Sequence, residues 1–334
     1  MLFSLPRRQF TRCLTAATIA TLISPVSRQA MAKKPDMDSQ IIDLFQSLPG
    51  QTAVKLKTVN QNQVWDVSLA PELPLFCGSA FKVYVLTVFL RQMEQGKVSL
   101  TDVLRVDDRV RVLSSPVFET LTGETTALIA LEAMMMHSDN TATDLILAKV
   151  TPQAVREFIQ TIGLKQTFIP DSINIMLSYL LGAKSGEDWG WAKIKAAADK
   201  NERTSRSIVN NQQTMTASAQ DFVTFYEQAL QGALFTEAKT LGIFKRMLTL
   251  PSILWDFIPP GAFGYVKGGS IDWPPQYALC IAGGVSFRPD CWTYYTYLIN
   301  WDDPSGKQRA LAANQFLAAV KTSLELVRSA TAAP

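Results

Sequence analysis

Histidine is nearly missing from this chain: one residue, His137, serves 334. Cysteine is scarce too, with four residues and no CxxC pair, so a zinc site built from Cys and His is excluded. A Ser-His-Asp triad would have to use His137, which abuts Ser138 in "MMMHSDN"; we read it as a packed structural histidine. Net charge is also small. The 32 basic and 29 acidic residues leave +3, and four of the arginines (Arg7, Arg8, Arg12 and Arg28) lie in the first 32 residues, so without that stretch the balance is 3 − 4 = −1. Nothing here attracts nucleic acid. With 17 glycines and 17 prolines the composition is neither collagen-like nor disordered. It suits one large unit with a proper core.

The chain opens on "PRRQFTRCLTAATIATLISPVSRQAMA", in which paired arginines Arg7 and Arg8 precede an apolar stretch and the small-residue pattern Ala30-Met31-Ala32. It resembles a twin-arginine export signal occupying residues 1–32. The expected protein is therefore periplasmic or secreted. No later run of about 18 uncharged apolar residues replaces this stretch, so no stable membrane span is expected after its removal. Cys13 leaves with it, and Cys77, Cys280 and Cys291 remain. Three thiols permit at most one disulfide.

Asp36 to Leu48 has helical apolar spacing and stops at Pro49-Gly50. "TAVKLKTVN" and "VWDVSLA" alternate around a Gln-Asn-Gln turn and predict a hairpin. Ser79 to Gln95 predicts a strong helix closed by Gly96. From about Leu100 to Leu250 the chain is mainly helical, interrupted by a less ordered insertion from Asn174 to Gln213. Three strands follow, "FGYVKGGS", "QYALCIAGGVSF" and "CWTYYTYLINW", and then an amphipathic last helix. Strands at both ends with helices between them predict one α/β (α+β) unit, 33–334. In it an antiparallel sheet (about 36–76 and 255–330) is flanked by helices and carries an inserted all-helical subdomain (about 79–250).

Three short stretches carry chemistry. In "FCGSAFKVYVL", Ser79 and Lys82 sit three apart at a helix start, on one face and near unpaired N–H groups. An amine there, desolvated by Phe81, Val83 and Tyr84, loses its proton near neutrality and takes one from the hydroxyl. Ser138-Asp139-Asn140 sits where a turn feeds the next helix, a place that N-capping alone would also explain. "YVKGGS" puts Lys267 on a strand before two glycines, Gly268 and Gly269, that admit another backbone.

S-x-x-K, then S-D-N, then a strand lysine with glycines is the order found in class A β-lactamases and penicillin-binding proteins. The chain resembles that superfamily, the class A enzymes most closely, over essentially its whole length after the leader. "SSPV" (114–117), "SDNTATDLIL" and "TMTASAQDF" (214–222) extend the likeness. The resemblance implies a β-lactamase/transpeptidase-like fold, no metal or organic cofactor, and a monomer. It implies a small-molecule β-lactam or peptidoglycan-like acyl substrate, with a role in antibiotic resistance. It makes Ser79 the nucleophile, Lys82 its proton acceptor and Ser138 the relay to the departing nitrogen. Asn140 would hold a substrate amide and Lys267 the substrate carboxylate. The N–H groups of Ser79 and Ser270 would form an oxyanion hole.

Two departures stand out. Lys267-Gly268-Gly269 lacks the hydroxyl of the usual motif, which leaves Ser270 or Ser286 to compensate or carboxylate recognition weaker. "FIPDSIN" carries Ile169 before Pro170 where the family has a water-activating glutamate, and Asn174 matches the loop's asparagine. Asp171 is the nearest carboxylate, with Glu187 and Asp188 in the insertion as further options. Without a base, deacylation slows by roughly two to four powers of ten, and the protein would behave as a D,D-peptidase or penicillin-binding acyl hydrolase. A binding module that keeps the fold but catalyses nothing is the reading furthest from chemistry. Cys77, two residues before Ser79, would brace the site if paired with Cys280; three buried thiols is the alternative. A hairpin turned at Pro289 sets Cys291 opposite about Phe287, so Cys280 and Cys291 are not expected to pair.

Overall fold

A computed structural model describes residues 36–60 and 63–331. The expected export leader, 1–32, lies outside the described residues.

Asp36 caps helix α1 (Met37–Gln46) by accepting from the Ser39 N–H. Strands β1 (Gln51–Asn60) and β2 (Gln63–Leu69) form the predicted hairpin, with Asn60 opposite Gln63. A two-residue strand β3 (Leu75–Phe76) leads into a 3-10 turn, Gly78–Phe81, and then helix α2 (Lys82–Glu94). The predicted helix from Ser79 thus begins with one tight turn. Gly96 follows it at φ +69°, a left-handed conformation that glycine adopts without strain.

The middle of the chain is helical as expected, with small strands added: β4 (Val103–Val106) pairs with β5 (Gly123–Thr126). Helices α3 (Ala127–Met136), α4 (Asn140–Val150) and α5 (Pro152–Thr161) follow. The 174–213 segment is more regular than its composition suggested. It contains most of α6 (Ile173–Leu181), which Gly182 ends at φ +119°, and all of α7 (Gly190–Asp199). The charged tract hid the apolar run "INIMLSYLL", which is helical. Strand β6 (Thr216–Ala217) pairs back onto β3, and helices α8 (Ala219–Leu230), α9 (Ala238–Leu248) and α10 (Leu254–Phe257) complete the block.

Strands β7 (Phe263–Trp273), β8 (Gln276–Arg288) and β9 (Cys291–Asp302) precede the last helix, α11 (Arg309–Thr331). The main sheet is antiparallel, in the order β2-β1-β9-β8-β7. Residues from both ends of the chain therefore close one sheet, β1 lying against β9 with Leu56 opposite Tyr295.

Two cores flank it. On one face α1 and α11 bury Ile41, Phe45, Phe316 and Leu324 against Leu56, Tyr295 and Tyr297. On the other, the helical block buries Phe81, Tyr84, Phe222 and Phe225 against Ala53, Ala282 and Leu298. This is the predicted mixed fold, an antiparallel sheet between helical layers. Strand β7 is an open edge, and the helical block meets it there.

Of the two cysteine readings, three buried thiols holds: Cys77, Cys280 and Cys291 are all free and buried, and no Cys77–Cys280 disulfide braces the turn. Burial pushes the Cys77 thiol up to about 12 and raises that of Cys280, which leaves both unreactive near neutrality. Two other expectations, at Cys291 and at His137, need correction. Cys291 faces Arg288 and not Phe287, because the ladder slips between Ser286 and Arg288. His137 is exposed at the end of α3 and not packed in the interior.

Candidate active site

The Ser79 turn is fixed from both sides. Leu75 and Phe76 pair with Ala217 and Thr216, and the Cys77 N–H donates to the Met215 carbonyl at 3.0 Å. Gly78 then turns at φ +53°. A Cβ there would stand 2.5 Å from the Ser270 nitrogen, and one at Gly269 would stand 2.6 Å from the Ser79 nitrogen. Only glycine fits at either position. The two backbones therefore touch, with the Ser79 and Ser270 nitrogens both at the contact. Gly268 is different: its Cβ would meet nothing nearer than 3.5 Å.

Lys82 opens α2 and is fully buried, its neighbours Phe81, Val83 and Tyr84 likewise. Its Nζ donates to the Ser138 carbonyl at 2.6 Å, to Asn140 Oδ1 at 2.8 Å and to Ser138 Oγ at 3.4 Å. Burial holds this amine well below the usual lysine range. Repulsion from Lys267 adds to the effect, and attraction to Asp139 and Asp144 only partly offsets it.

The 138–140 turn is held by its own neighbours. Ser138 has φ +58°, unusual for a residue with a side chain. Asp139 caps α4 through the Ala142 N–H and also accepts from the Val117 and Phe118 N–H groups, each at 2.9 Å. The capping role and the site role coexist here, in adjacent residues. Asn140 Nδ2 donates to the Leu113 carbonyl, which aims its oxygen at Lys82.

Lys267 reaches the same turn from β7. Its Nζ donates to Ser138 Oγ at 2.9 Å and to the Gly268 carbonyl at 2.9 Å, and burial lowers it to about 7. Ser138 Oγ thus accepts from two lysines, which leaves its own hydrogen for a third partner. Ser79, Ser138, Lys267, Gly268, Gly269 and Ser270 all line one cleft of about 260 Å³. Ser286 is elsewhere: it pairs with Phe263 at the far end of β7, and its hydroxyl donates to the Arg288 carbonyl. It does not replace the missing hydroxyl.

Asp171 lies apart from this cluster. One oxygen pairs with Arg156 at 2.6 Å, the other accepts from Gln213 Nε2 at 2.6 Å, and its N–H donates to Gln213 Oε1. Burial alone would raise its carboxyl, but these bonds outweigh it and hold the group below the usual carboxylate range. The carboxylate nearer the chemistry is one the sequence reading missed, Asp144 on α4. It accepts from the Ile173 and Asn174 N–H groups at 2.8 and 3.0 Å, and burial pushes it up to about 7 although Lys82 pulls it down. The signal was there: Asp144 interrupts an apolar helix four residues after Asn140. Asn174 Nδ2 donates to Asp188 Oδ1, while its own Oδ1 is buried without a partner among the described residues. Also among the described residues, no group of three His, Cys, Asp or Glu side chains is placed to hold a metal.

The sequence model of the β-lactamase enzyme family matches residues 36–249. The extended-spectrum β-lactamase PER-1 of Pseudomonas aeruginosa is 26% identical over 163 residues, 47% of this chain and 52% of that protein. The match spans about half the length of that relative. Among solved structures, PBP-A superposes with a TM-score of 0.66 at 15% identity, over 88% of this chain and 95% of that one. The chromosome-encoded β-lactamase of Vibrio parahaemolyticus gives 0.66 at 18% identity, over 90% and 100%. A mutant of PBP-A solved as an acyl-enzyme complex with penicillin G gives 0.64 at 16%, over 88% and 96%. At these identities the structural likeness is one of fold.

Proposed function

Because this chain belongs to the β-lactamase enzyme family, we propose that it is a serine hydrolase of the β-lactamase type, in which Ser79 opens a β-lactam amide and carries the acyl group as an ester. One observation carries this reading: a hydrogen-bonded chain runs from Lys82 through Ser138 Oγ to Lys267, and Ser79, Ser138 and Lys267 line a single cleft.

Lys82, whose hold on its own proton burial weakens, takes the Ser79 proton as Oγ bonds to the carbonyl carbon. The oxygen that becomes negative lies against the N–H groups of Ser79 and Ser270. As the C–N bond breaks, Ser138 donates its hydrogen to the leaving nitrogen and is replenished from Lys82. Asn140 holds a substrate amide, and Lys267 supplies positive charge beside Ser138. Water then attacks the ester and frees Ser79. The leader fits export to the periplasm or beyond, where β-lactams and peptidoglycan are found. The working unit is a monomer, residues 33–334, with a sheet subdomain (about 36–76 and 255–330) and a helical one (about 79–250).

A second reading is favoured by the commitment of Asp171 to Arg156 and Gln213. With that carboxylate occupied, acyl-Ser79 would form readily and hydrolyse slowly, as in a penicillin-binding D,D-peptidase. Intact mass after brief and long incubation with benzylpenicillin separates the two. An adduct that forms and disappears with product release supports the lactamase. An adduct that persists supports the peptidase-type hydrolase, and no adduct at all defeats both.

A further inference from the structure

The Ser79 cleft does not end at the polar residues. It continues past the edge of β7 to the face that packs on α11, where Ile253, Leu279, Ile281, Phe316 and Leu317 line it. The register explains why. Cross-strand partners share a face, and Gly268 stands opposite Ile281 while Ser270 stands opposite Leu279. A side chain at 268 would project toward Ile253, whose Cδ1 is 3.9 Å from the Cβ position, and there is room for one. Its absence leaves that part of the cleft open, with the Cys280 carbonyl the nearest atom at 3.5 Å.

The charge census of this chamber is short. Lys267 is the only lysine or arginine among its lining residues, and His137 at the rim adds an imidazole. Two of the three Lys267 N–H donors are already committed to Ser138 Oγ and the Gly268 carbonyl. Burial, which lowers Lys267 to about 7, leaves its positive charge incomplete near neutrality. A carboxylate placed here would lose its water against isoleucine, leucine and phenylalanine and find no guanidinium fork in return. An apolar group in the same place would gain roughly 25 cal/mol for each Å² it buries.

We infer that this site takes an uncharged ester or amide, its apolar leaving group seated against the half-buried Ile253 and Leu279, in preference to an otherwise matched substrate bearing a carboxylate beside the scissile bond. This rests on the acyl-serine reading above. The reaction remains hydrolysis. The Ser79 Oγ–acyl bond forms as the bond to the leaving oxygen or nitrogen breaks, the serine proton reaches the leaving atom through Lys82 and Ser138, and water then releases the acid.

A matched pair of substrates tests it: the phenylacetyl esters of 3-hydroxybenzoic acid and of its methyl ester, each rate divided by that of spontaneous hydrolysis. The neutral ester is expected to show a kcat/KM about tenfold or more above the carboxylate. Leu279→Arg, which adds a cation to the chamber wall at a half-buried position, should reverse that preference. Gly268→Ser, which has space, should narrow it should the arginine variant not fold. In parallel, intact mass after treatment with a neutral alkyl fluorophosphonate reports whether Ser79 is a nucleophile, with Ser79→Ala as control. If Ser79 is phosphonylated yet the carboxylate ester is hydrolysed equally or faster, the substrate inference fails and the hydrolase reading stands. If Ser79 is not phosphonylated and neither ester is cleaved, the hydrolase reading fails and takes the inference with it.

Discussion

The two walls of this site are built to different standards. On the acylation side, Ser79, Lys82, Ser138, Asn140 and Lys267 come from three distant stretches, and the polar groups of the last four interlock at 2.6–3.4 Å. On the side of the 169–213 segment, Ile169 is fully buried where the family keeps a glutamate, and Asp171 is tied to Arg156 and Gln213. One wall suits the acylation proposed above. The other holds a loop in place, with Asp144 pinning Ile173 and Asn174 to α4. On the proposed mechanism, forming the ester and releasing it are therefore separable, and one can be complete while the other is poor.

That contrast can be broken at its strong end first. Ser79→Ala should abolish acylation, lowering the rate of adduct formation by about 10⁴-fold or more; retained labelling measured by intact mass would place the nucleophile elsewhere. Lys82→Met should slow acylation by about 10²–10⁴-fold, because it removes the buried amine three residues from Ser79 whose hold on its proton burial weakens. A stopped-flow rate within a few-fold of the parent would remove Lys82 as proton acceptor.

The glycine pair sharpens the comparison inside one strand. Gly269→Ala drives a methyl into the Ser79 turn and should cost about 1–3 kcal/mol along with the oxyanion pocket. Gly268→Ala should stay within about 0.5 kcal/mol. Thermal melts of the two proteins decide, and equal melting temperatures would mean the two backbones do not touch.

The pH dependence tests Lys267 directly. Its folded value of about 7 lies below the ordinary 10.5, so the folded chain releases a proton that the unfolded chain keeps. The cost to stability is full below about pH 7 and fades as pH rises toward 10.5. Lys267→Met should flatten that rise in melting temperature. In the parent, acylation by a carboxylate-bearing β-lactam should decline above pH 7 relative to a neutral ester; parallel profiles would show that Lys267 carries no charge-based recognition.

The smallest effect is expected on the weaker wall. Asp171→Asn should change the adduct lifetime by less than about threefold, and stability by about 1 kcal/mol or less for a half-exposed pair. A hundredfold longer lifetime would make Asp171 the deacylation base after all.

Much of the acylation wall was legible because its parts are short and local. Serine and lysine three apart at a helix start, a capping turn, and a strand lysine before glycines each declare their own backbone setting. What the sequence could not display were properties of contact between them. Gly78 reads as an ordinary turn residue until the strand is laid against it. Asp144 reads as an interruption in an apolar helix until Lys82 and the Ile173 N–H are placed around it. The free thiols, the register slip at Ser286 and the exposure of His137 are likewise decided by packing and not by spacing. The helix "INIMLSYLL" was obscured for a simpler reason, the charged residues that follow it.

The meeting of Gly78 with Ser270 has a practical corollary. The two nitrogens at that contact, of Ser79 and Ser270, lie on either side of the helical block in the chain and meet only where the strand β7 backbone packs on the Ser79 turn. A reagent that captures Ser79 covalently would therefore count finished molecules. Partly assembled chains, however helical, would pass unmarked, and the site would serve as its own gauge of correct maturation.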